Sequence, residues 1–261
     1  MLVASIQMSV VEDDKTATIE KAVAQVRKAR GADLIVLPEL WNIGFMGFDR
    51  YVSEAEDKDG PTLSALKGVA KELRGYLHTG SFVEKVGGKY YNSSYLLSPE
   101  GEILANYRKI HLFGYNSKED EILSSGDAVV VAETPLGNFG LATCYDLRFP
   151  ELFRRMVEKG AEVFLITSAW PYPRLEHWMI LNRVRALENQ CFLVSANSAG
   201  LNRGTQFVGH SMMVDPWGVT RASSGDEELI LQTEIDLNEV SEARERFPAL
   251  ADRVAWLGNA V

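Results

Sequence analysis

The sequence predicts a mixed α/β fold in which two sheets pack face to face with helices outside them. Three observations carry that expectation: a βαβ opening, a middle part dominated by hairpin strands, and a second half that repeats strand, helix and strand. The chain has 261 residues, 46% of them hydrophobic, enough for one large core. No linker, low-complexity tract or internal repeat divides it, so a single domain over residues 1–261 is expected.

Met1 to Gln7 reads as the first strand. It lacks a basic n-region and is followed by Glu12, Asp13 and Asp14, which argues against a signal peptide and for a cytoplasmic protein. Ile19, Val23 and Val26 recur at helical spacing in a helix over 16–29. Leu34 to Leu37 is a continuous apolar run, the mark of a strand buried on both faces, and Pro38 and Glu39 follow it. A helix over 63–73 precedes strands over 77–83, 90–97 and 103–107, with turns at Gly87-Gly88 and at Ser98-Pro-Glu-Gly101. Gly140 to Thr143 is small or apolar and suits a strand ending at Cys144. A helix over 150–158 opens on Pro150, where a missing N–H costs nothing. Strand 163–166, a long helix over 175–189 and strand 192–194 follow, and late hairpin strands are expected over 207–215 and 229–235.

Cys144 is the residue most suggestive of chemistry. A thiol at a strand-to-helix elbow faces helix N–H groups, whose partial positive charge is expected to favour a thiolate and lower its pKa. Two charged groups sit where a solvated residue is not expected. Glu39 ends the buried strand just before Leu40-Trp41, and Lys109 lies among aromatic and apolar residues in Tyr107-Arg-Lys-Ile-His-Leu-Phe113. Cys191, in Cys-Phe-Leu-Val-Ser195, reads as a structural core residue. Two cysteines cannot build a disulfide framework of the secreted type.

Three ordered segments, Ile35-Val-Leu-Pro-Glu39-Leu, Tyr107-Arg-Lys109-Ile-His-Leu-Phe and Cys144-Tyr-Asp-Leu-Arg-Phe-Pro-Glu, resemble the glutamate, lysine and cysteine motifs of the nitrilase superfamily of carbon–nitrogen hydrolases. The likeness runs from Ala4-Ser-Ile-Gln7 to Gly209-His-Ser-Met-Met-Val-Asp-Pro-Trp-Gly218 and Ile235-Asp-Leu237. It implies a four-layer α-β-β-α sandwich and a Glu39-Lys109-Cys144 triad. The family's additional glutamate aligns with Glu119 in Ser117-Lys-Glu-Asp-Glu121, although an acidic run by itself reads as a solvated loop. The resemblance also implies a homodimer, formed where the helix after the cysteine and the helix over 175–189 meet a second copy.

The chemistry requires these residue types. An amide carbonyl is a poor electrophile, so a strong nucleophile must be joined by a base and by positive charge where the oxyanion forms. Cys144 is expected to attack, Glu39 to move protons, Lys109 and the Tyr145 N–H to hold the oxyanion, and Glu119 to orient them. Trp41, Phe45, Trp170 and Tyr172 are candidates for an apolar pocket, and His177 for its wall. Arg148 suits a substrate carboxylate or, equally, a bridge to structural acids near the elbow.

Cys144-Tyr-Asp-Leu-Arg148 resembles the omega-amidase and deaminated-glutathione amidase branches, whereas nitrilases commonly follow the cysteine with Trp-Glu. A small-molecule amide is therefore the expected substrate. The loop Ser168-Ala-Trp-Pro-Tyr-Pro-Arg174 departs from the omega-amidase pattern. A nitrilase or acyltransferase using the same thioester, and a catalytically silent binding or filament-forming relative, are the alternatives. The net charge of −9 and pI near 5.1 argue against nucleic-acid and anionic-membrane partners. The four histidines form no helical ligand pair, and neither a Cys-x-x-Cys nor a phosphate-cradling glycine motif occurs, so no metal and no cofactor are expected. By resemblance, His111 and His210 are structural or supporting groups.

Overall fold

The computed structural model describes residues 1–254; residues 255–261, the end of the expected single domain, lie outside the described residues. Strand β1 (Leu2–Gln7) leads into helix α1 (Lys15–Lys28), whose first turn is capped by Asp14 accepting from the Ala17 N–H at 2.8 Å. Strand β2 (Leu34–Val36) follows. Helix α2 (Pro61–Leu73) starts on proline and buries Leu63, Leu66, Val69 and Ala70. Strands β3 (Tyr76–Val86), β4 (Lys89–Leu97) and β5 (Ile103–Arg108) form the expected hairpins, and the short helix α3 (Glu119–Ile122) comes next.

The second half contains β6 (Val131–Thr134), β7 (Gly137–Thr143), α4 (Pro150–Glu158), β8 (Val163–Ser168), α5 (Leu175–Asn189) and β9 (Phe192–Asn197). It ends with β10 (Ala199–Asn202), β11 (Thr205–Val208), β12 (Met212–Val214), β13 (Thr220–Ser223), β14 (Leu229–Glu234) and α6 (Asn238–Arg246). One six-stranded sheet has the order β14-β1-β2-β3-β4-β5 and the other β13-β12-β9-β8-β7-β6, with β10-β11 as a separate pair. Each large sheet has a parallel centre, β1-β2-β3 or β7-β8-β9, flanked by antiparallel strands.

Three apolar layers make this the expected four-layer sandwich. Ile6, Leu77 and Leu97 pack against Ala22, Val26, Leu63 and Leu66 of α1 and α2. Phe164, Ile166 and Leu193 pack against Phe153, Met156, Trp178 and Ala186 of α4 and α5. Between the sheets, Val3, Leu34 and Val36 meet Leu141, Val163, Leu165 and Val194. Strand alternation explains the division, since neighbouring residues on one strand serve opposite layers. Among the described residues no helix is long and apolar enough to cross a membrane.

Several boundaries differ from the sequence expectation. Strands β8 and β9 continue to Ser168 and Asn197 because their polar ends are buried and paired within the sheet, which hydrophobicity does not register. The strand expected over 207–215 is two strands. Gly209 and His210, at φ of 62° and 48°, turn the chain out of β11 before β12 joins the main sheet. Within the acidic run 117–121, Asp120 and Glu121 are exposed as expected, but the segment turns into α3 and Glu119 is fully buried.

Gly80 sets the approach of β3 to the segment carrying Glu39. Its φ is 64°, β3 is irregular between His78 and Ser81, and a Cβ at Gly80 would lie 2.1 Å from the Pro38 carbonyl oxygen. The close approach lets the Ser81 N–H donate to that oxygen at 3.0 Å and the Ser81 Oγ accept from the Leu40 N–H at 3.0 Å. Gly80→Ala is expected to lower unfolding free energy by about 2–4 kcal/mol, through overpacking and an unfavourable φ. Gly68→Ala, on α2 with open space at its Cβ, is expected to raise it by about 0.5–1 kcal/mol. Urea unfolding of both variants measures the contrast; a Gly80→Ala midpoint equal to that of the parent would contradict the close-approach account.

Candidate active site

The sandwich brings together residues from the ends of three strands. Lys109 directly follows β5, Cys144 directly follows β7, and Glu39 lies just past β2 beyond Pro38. Two sharp backbone turns aim them. Leu40 has φ of 45° and Cys144 has φ of 48°, a region that costs a residue with a side chain about 1–3 kcal/mol. The surrounding bonds hold both turns in place. The Glu39 N–H donates to the Ser168 carbonyl at 3.2 Å, joining the two sheets, while the Thr143 N–H donates to Asp146 Oδ2 at 2.9 Å. Asp146 also accepts from the Tyr107 hydroxyl at 2.6 Å and the His111 N–H at 3.0 Å, tying the cysteine elbow to the lysine segment. His111 pairs its Nδ1 with Asp146 at 2.8 Å and stacks on Phe149, a supporting position.

Glu39, Lys109 and Glu119 are fully buried. Lys109 Nζ donates to Glu39 Oε1 at 2.8 Å and to both Glu119 oxygens, at 3.0 and 2.8 Å. Asn92 on β4 donates through Nδ2 to Glu39 Oε1 at 2.9 Å and to Glu119 Oε1 at 2.8 Å. Backbone amides complete the set, Ala169 N–H to Glu39 Oε2 and Phe113 N–H to Glu119 Oε2, both at 2.8 Å. Asn92 is absent from the sequence-derived site. Its only sequence signal is an amide within a strand whose neighbours become buried, and its partners are distant along the chain.

Burial opposes the charge on Lys109, but the carboxylates of Glu119 and Glu39 outweigh it and raise the ammonium's pKa above its ordinary value. Glu119 is raised by burial and by Glu39 against the opposing pull of Lys109. The Cys144 thiol is raised as well, chiefly by burial and then by the Glu39 charge, with Lys109 pulling the other way. This corrects the expectation of a lowered thiol pKa. Cys144 opens a single 3-10 turn over Cys144–Arg148, and desolvation beside a carboxylate dominates. The protonated thiol is therefore the favoured resting form at neutral pH.

A pocket opens onto Cys144, walled by Phe45, Phe113, Tyr145, Trp170 and the guanidinium-bearing Arg148 and Arg174. Of the residues singled out for substrate binding from the sequence, Phe45, Tyr145, Arg148 and Trp170 line this pocket. Trp41 does not: it is 2% exposed, packs beneath the first sheet, and donates from Nε1 to the Thr79 carbonyl at 2.8 Å. The turn at Leu40 directs it away from the thiol. Tyr172 lines an outer vestibule instead, with its hydroxyl 3.3 Å from Asp226. His177 is exposed at the start of α5 and reaches the pocket only through Arg148, 3.1 Å from its Nδ1. Phe113 and Arg174 are wall residues that the sequence reading did not assign, because segments far apart in the chain converge here.

The carbon-nitrogen hydrolase family profile matches residues 2–245. The chain is 38% identical over 252 residues to the 2-oxoglutaramate amidase of Bacillus subtilis, covering 96% of each chain. It is 35% identical over 257 residues to mouse omega-amidase NIT2, covering 95% of this chain and 93% of the relative. Saccharomyces cerevisiae Nit3, a solved member of branch 10 of the nitrilase superfamily, superposes with a TM-score of 0.88 at 31% identity, over 95% of this chain and 94% of that one. With its fold, its three strand-end residues and this full-length likeness, the chain belongs to the carbon-nitrogen hydrolase family, within the nitrilase superfamily.

Proposed function

We propose that the protein hydrolyses a small linear amide to a carboxylic acid and ammonia through a thioester on Cys144. The observation that carries this reading is the fully buried Glu39-Lys109-Glu119 network beside the pocket that opens onto Cys144. In the first step Cys144 Sγ bonds to the carbonyl carbon while Glu39 accepts the thiol proton. The carbonyl electrons move onto oxygen, where Lys109 Nζ and the Tyr145 N–H stabilise the oxyanion. Collapse breaks the carbon–nitrogen bond, and Glu39 returns its proton to the nitrogen so that ammonia leaves. Glu39 then takes a proton from water, whose oxygen attacks the thioester; the acid departs and the thiol is restored.

Glu119 and Asn92 are positioning residues in this scheme, since they hold Lys109 and Glu39 through direct hydrogen bonds. The activities named for the Bacillus and mouse relatives favour an omega-amide of a dicarboxylic acid over a nitrile. A homodimer is part of the proposal, because Ile180 and Leu187 on α5 and nearby Val219 are more than half exposed and form an apolar face suited to a second copy. Ammonia release screened over aliphatic amides, omega-amides, carbamoyl compounds and nitriles tests the reaction class.

Cys144→Ala is expected to abolish ammonia release with little change in the thermal transition. A small neutral alkylating agent should modify Cys144 and leave Cys191 unmodified, because Cys191 is fully buried. Alkylation should accelerate steadily from pH 7 to 9, because a raised thiol pKa leaves the thiolate fraction still growing there. Intact-mass kinetics measure both; a rate plateau below pH 8 would indicate a resting thiolate.

Lys109→Arg is expected to lose at least about a hundredfold in kcat, nearly as much as Lys109→Ala, because a planar fork cannot replace a compact ammonium between two carboxylates. Steady-state kinetics of folded variants provide the comparison, and near-parental turnover by the arginine variant would refute the oxyanion role.

Glu39→Gln should block both thioester formation and hydrolysis. Glu119→Gln retains a hydrogen-bonding shape without the charge, so Cys144 should remain alkylatable and acylation should be slow. Substrate trapping followed by intact mass separates the two. Normal turnover by Glu39→Gln would overturn the mechanism, while parental behaviour of Glu119→Gln would remove only the positioning role.

A further inference from the structure

We propose that Arg174 determines specificity by forming, with Arg148, a two-guanidinium clamp for a carboxylate at the far end of the substrate's acyl chain. The inference rests on the amide-hydrolase reading and identifies which amides that site prefers. Both arginines line the pocket that contains Cys144, and both are half-buried. Neither has a carboxylate partner among the described residues. Arg148 lies over the Trp170 ring at 4.8 Å and bonds to His177 Nδ1 at 3.1 Å, a contact that requires the imidazole nitrogen to accept. Arg174 lies over the Phe113 ring at 5.3 Å.

Elsewhere in the molecule, half-buried or buried arginines are paired with a carboxylate, as Arg185 with Glu188 at 2.7 Å, Arg108 with Glu84 at 2.9 Å and Arg50 with Glu54 at 3.3 Å, or donate to a backbone carbonyl, as Arg154 to Glu188 at 3.2 Å and Arg244 to Ala161 at 3.1 Å. The pocket instead holds two like charges close enough to influence one another. An anion received between them relieves that repulsion, and a carboxylate has the two oxygens that guanidinium forks accept.

Arg174 lines both the pocket at Cys144 and the wider cavity outside it. Its backbone begins α5, and its carbonyl accepts from Trp170 Nε1 at 2.9 Å, so the aromatic wall fixes its place. It also borders the outer vestibule, a cavity of about 370 Å³ shared with Phe45, Phe113 and Pro171. A carbonyl at Cys144, methylenes against Phe45, Phe113 and Trp170, and a carboxylate between the guanidiniums describe a monoamide of a dicarboxylic acid.

The test compares parent, Arg174→Met and Arg174→Lys. For the parent, kcat/KM for glutaramate should exceed that for neutral valeramide by at least about tenfold. In Arg174→Met that ratio should fall at least about tenfold, mainly through KM, and Arg174→Lys should restore part of it by returning the charge without the fork. Calorimetry with glutarate on the Cys144→Ala protein supplies a reading independent of turnover. Adding Arg174→Met there should raise the Kd at least about tenfold. A parent without preference for glutaramate, equal losses on both amides, or glutarate affinity unaffected by Arg174→Met would each overturn the clamp, as would failure of the Cys144→Ala protein to bind glutarate. Glutarate binding that depends on Arg174, without turnover of any amide, would sustain the clamp and overturn the amidase reading alone.

Discussion

The buried ammonium of Lys109, held between the carboxylates of Glu39 and Glu119, is the constraint on which the site depends. Removing ions from water costs several kcal/mol each, and attraction at close range offsets that cost only when the remaining lone pairs and protons are also satisfied. Asn92, the Ala169 N–H and the Phe113 N–H supply those bonds. The network therefore draws on both sheets and on α3. Deleting Lys109 leaves two carboxylates unpaired in the core, and deleting either glutamate costs Lys109 one of its two partners, so each member is coupled to the rest.

That coupling accounts for the backbone strain around it. Leu40 and Cys144 both occupy the left-handed region without being glycine, and both flank the charged cluster. The turns place the thiol at the pocket and Glu39 in the buried cluster beside it, while the cross-sheet bond from Glu39 to Ser168 and the Asp146 hub hold the turns fixed. Gly80 performs the complementary task on β3, permitting an approach that no side chain would allow. The site is ordered by geometry and holds no pre-ionised thiol, because burial favours the protonated form.

The charged cluster is buried beside Cys144, and the pocket that opens onto the thiol has an aromatic wall bearing two arginines. The charges of the cluster satisfy each other, whereas Arg148 and Arg174 rest on aromatic rings without carboxylate partners among the described residues. The difference separates groups suited to bond rearrangement from groups suited to recognition. A fixed, mutually bonded cluster needs little reorganisation during reaction. Unpaired guanidiniums instead retain their capacity to receive an anion.

The sequence by itself determined the sandwich and singled out the candidate reacting groups. Apolar runs, helical spacing and turn residues are local, so the βαβ opening, α4 over Pro150–Glu158 and α5 over Leu175–Asn189 were legible. Glu39, Lys109 and Cys144 stood out because each interrupts or ends a run that burial favours. Only the tertiary structure decided what each group touches. It buried Glu119 within an acidic run, brought Asn92 onto two carboxylates, turned Trp41 into the core, and set Arg174 and Arg148 in the wall of one pocket. It also reversed the expected direction of the thiol shift. Desolvation and charge coupling depend on distances between residues far apart in the chain, and local sequence patterns do not encode those distances.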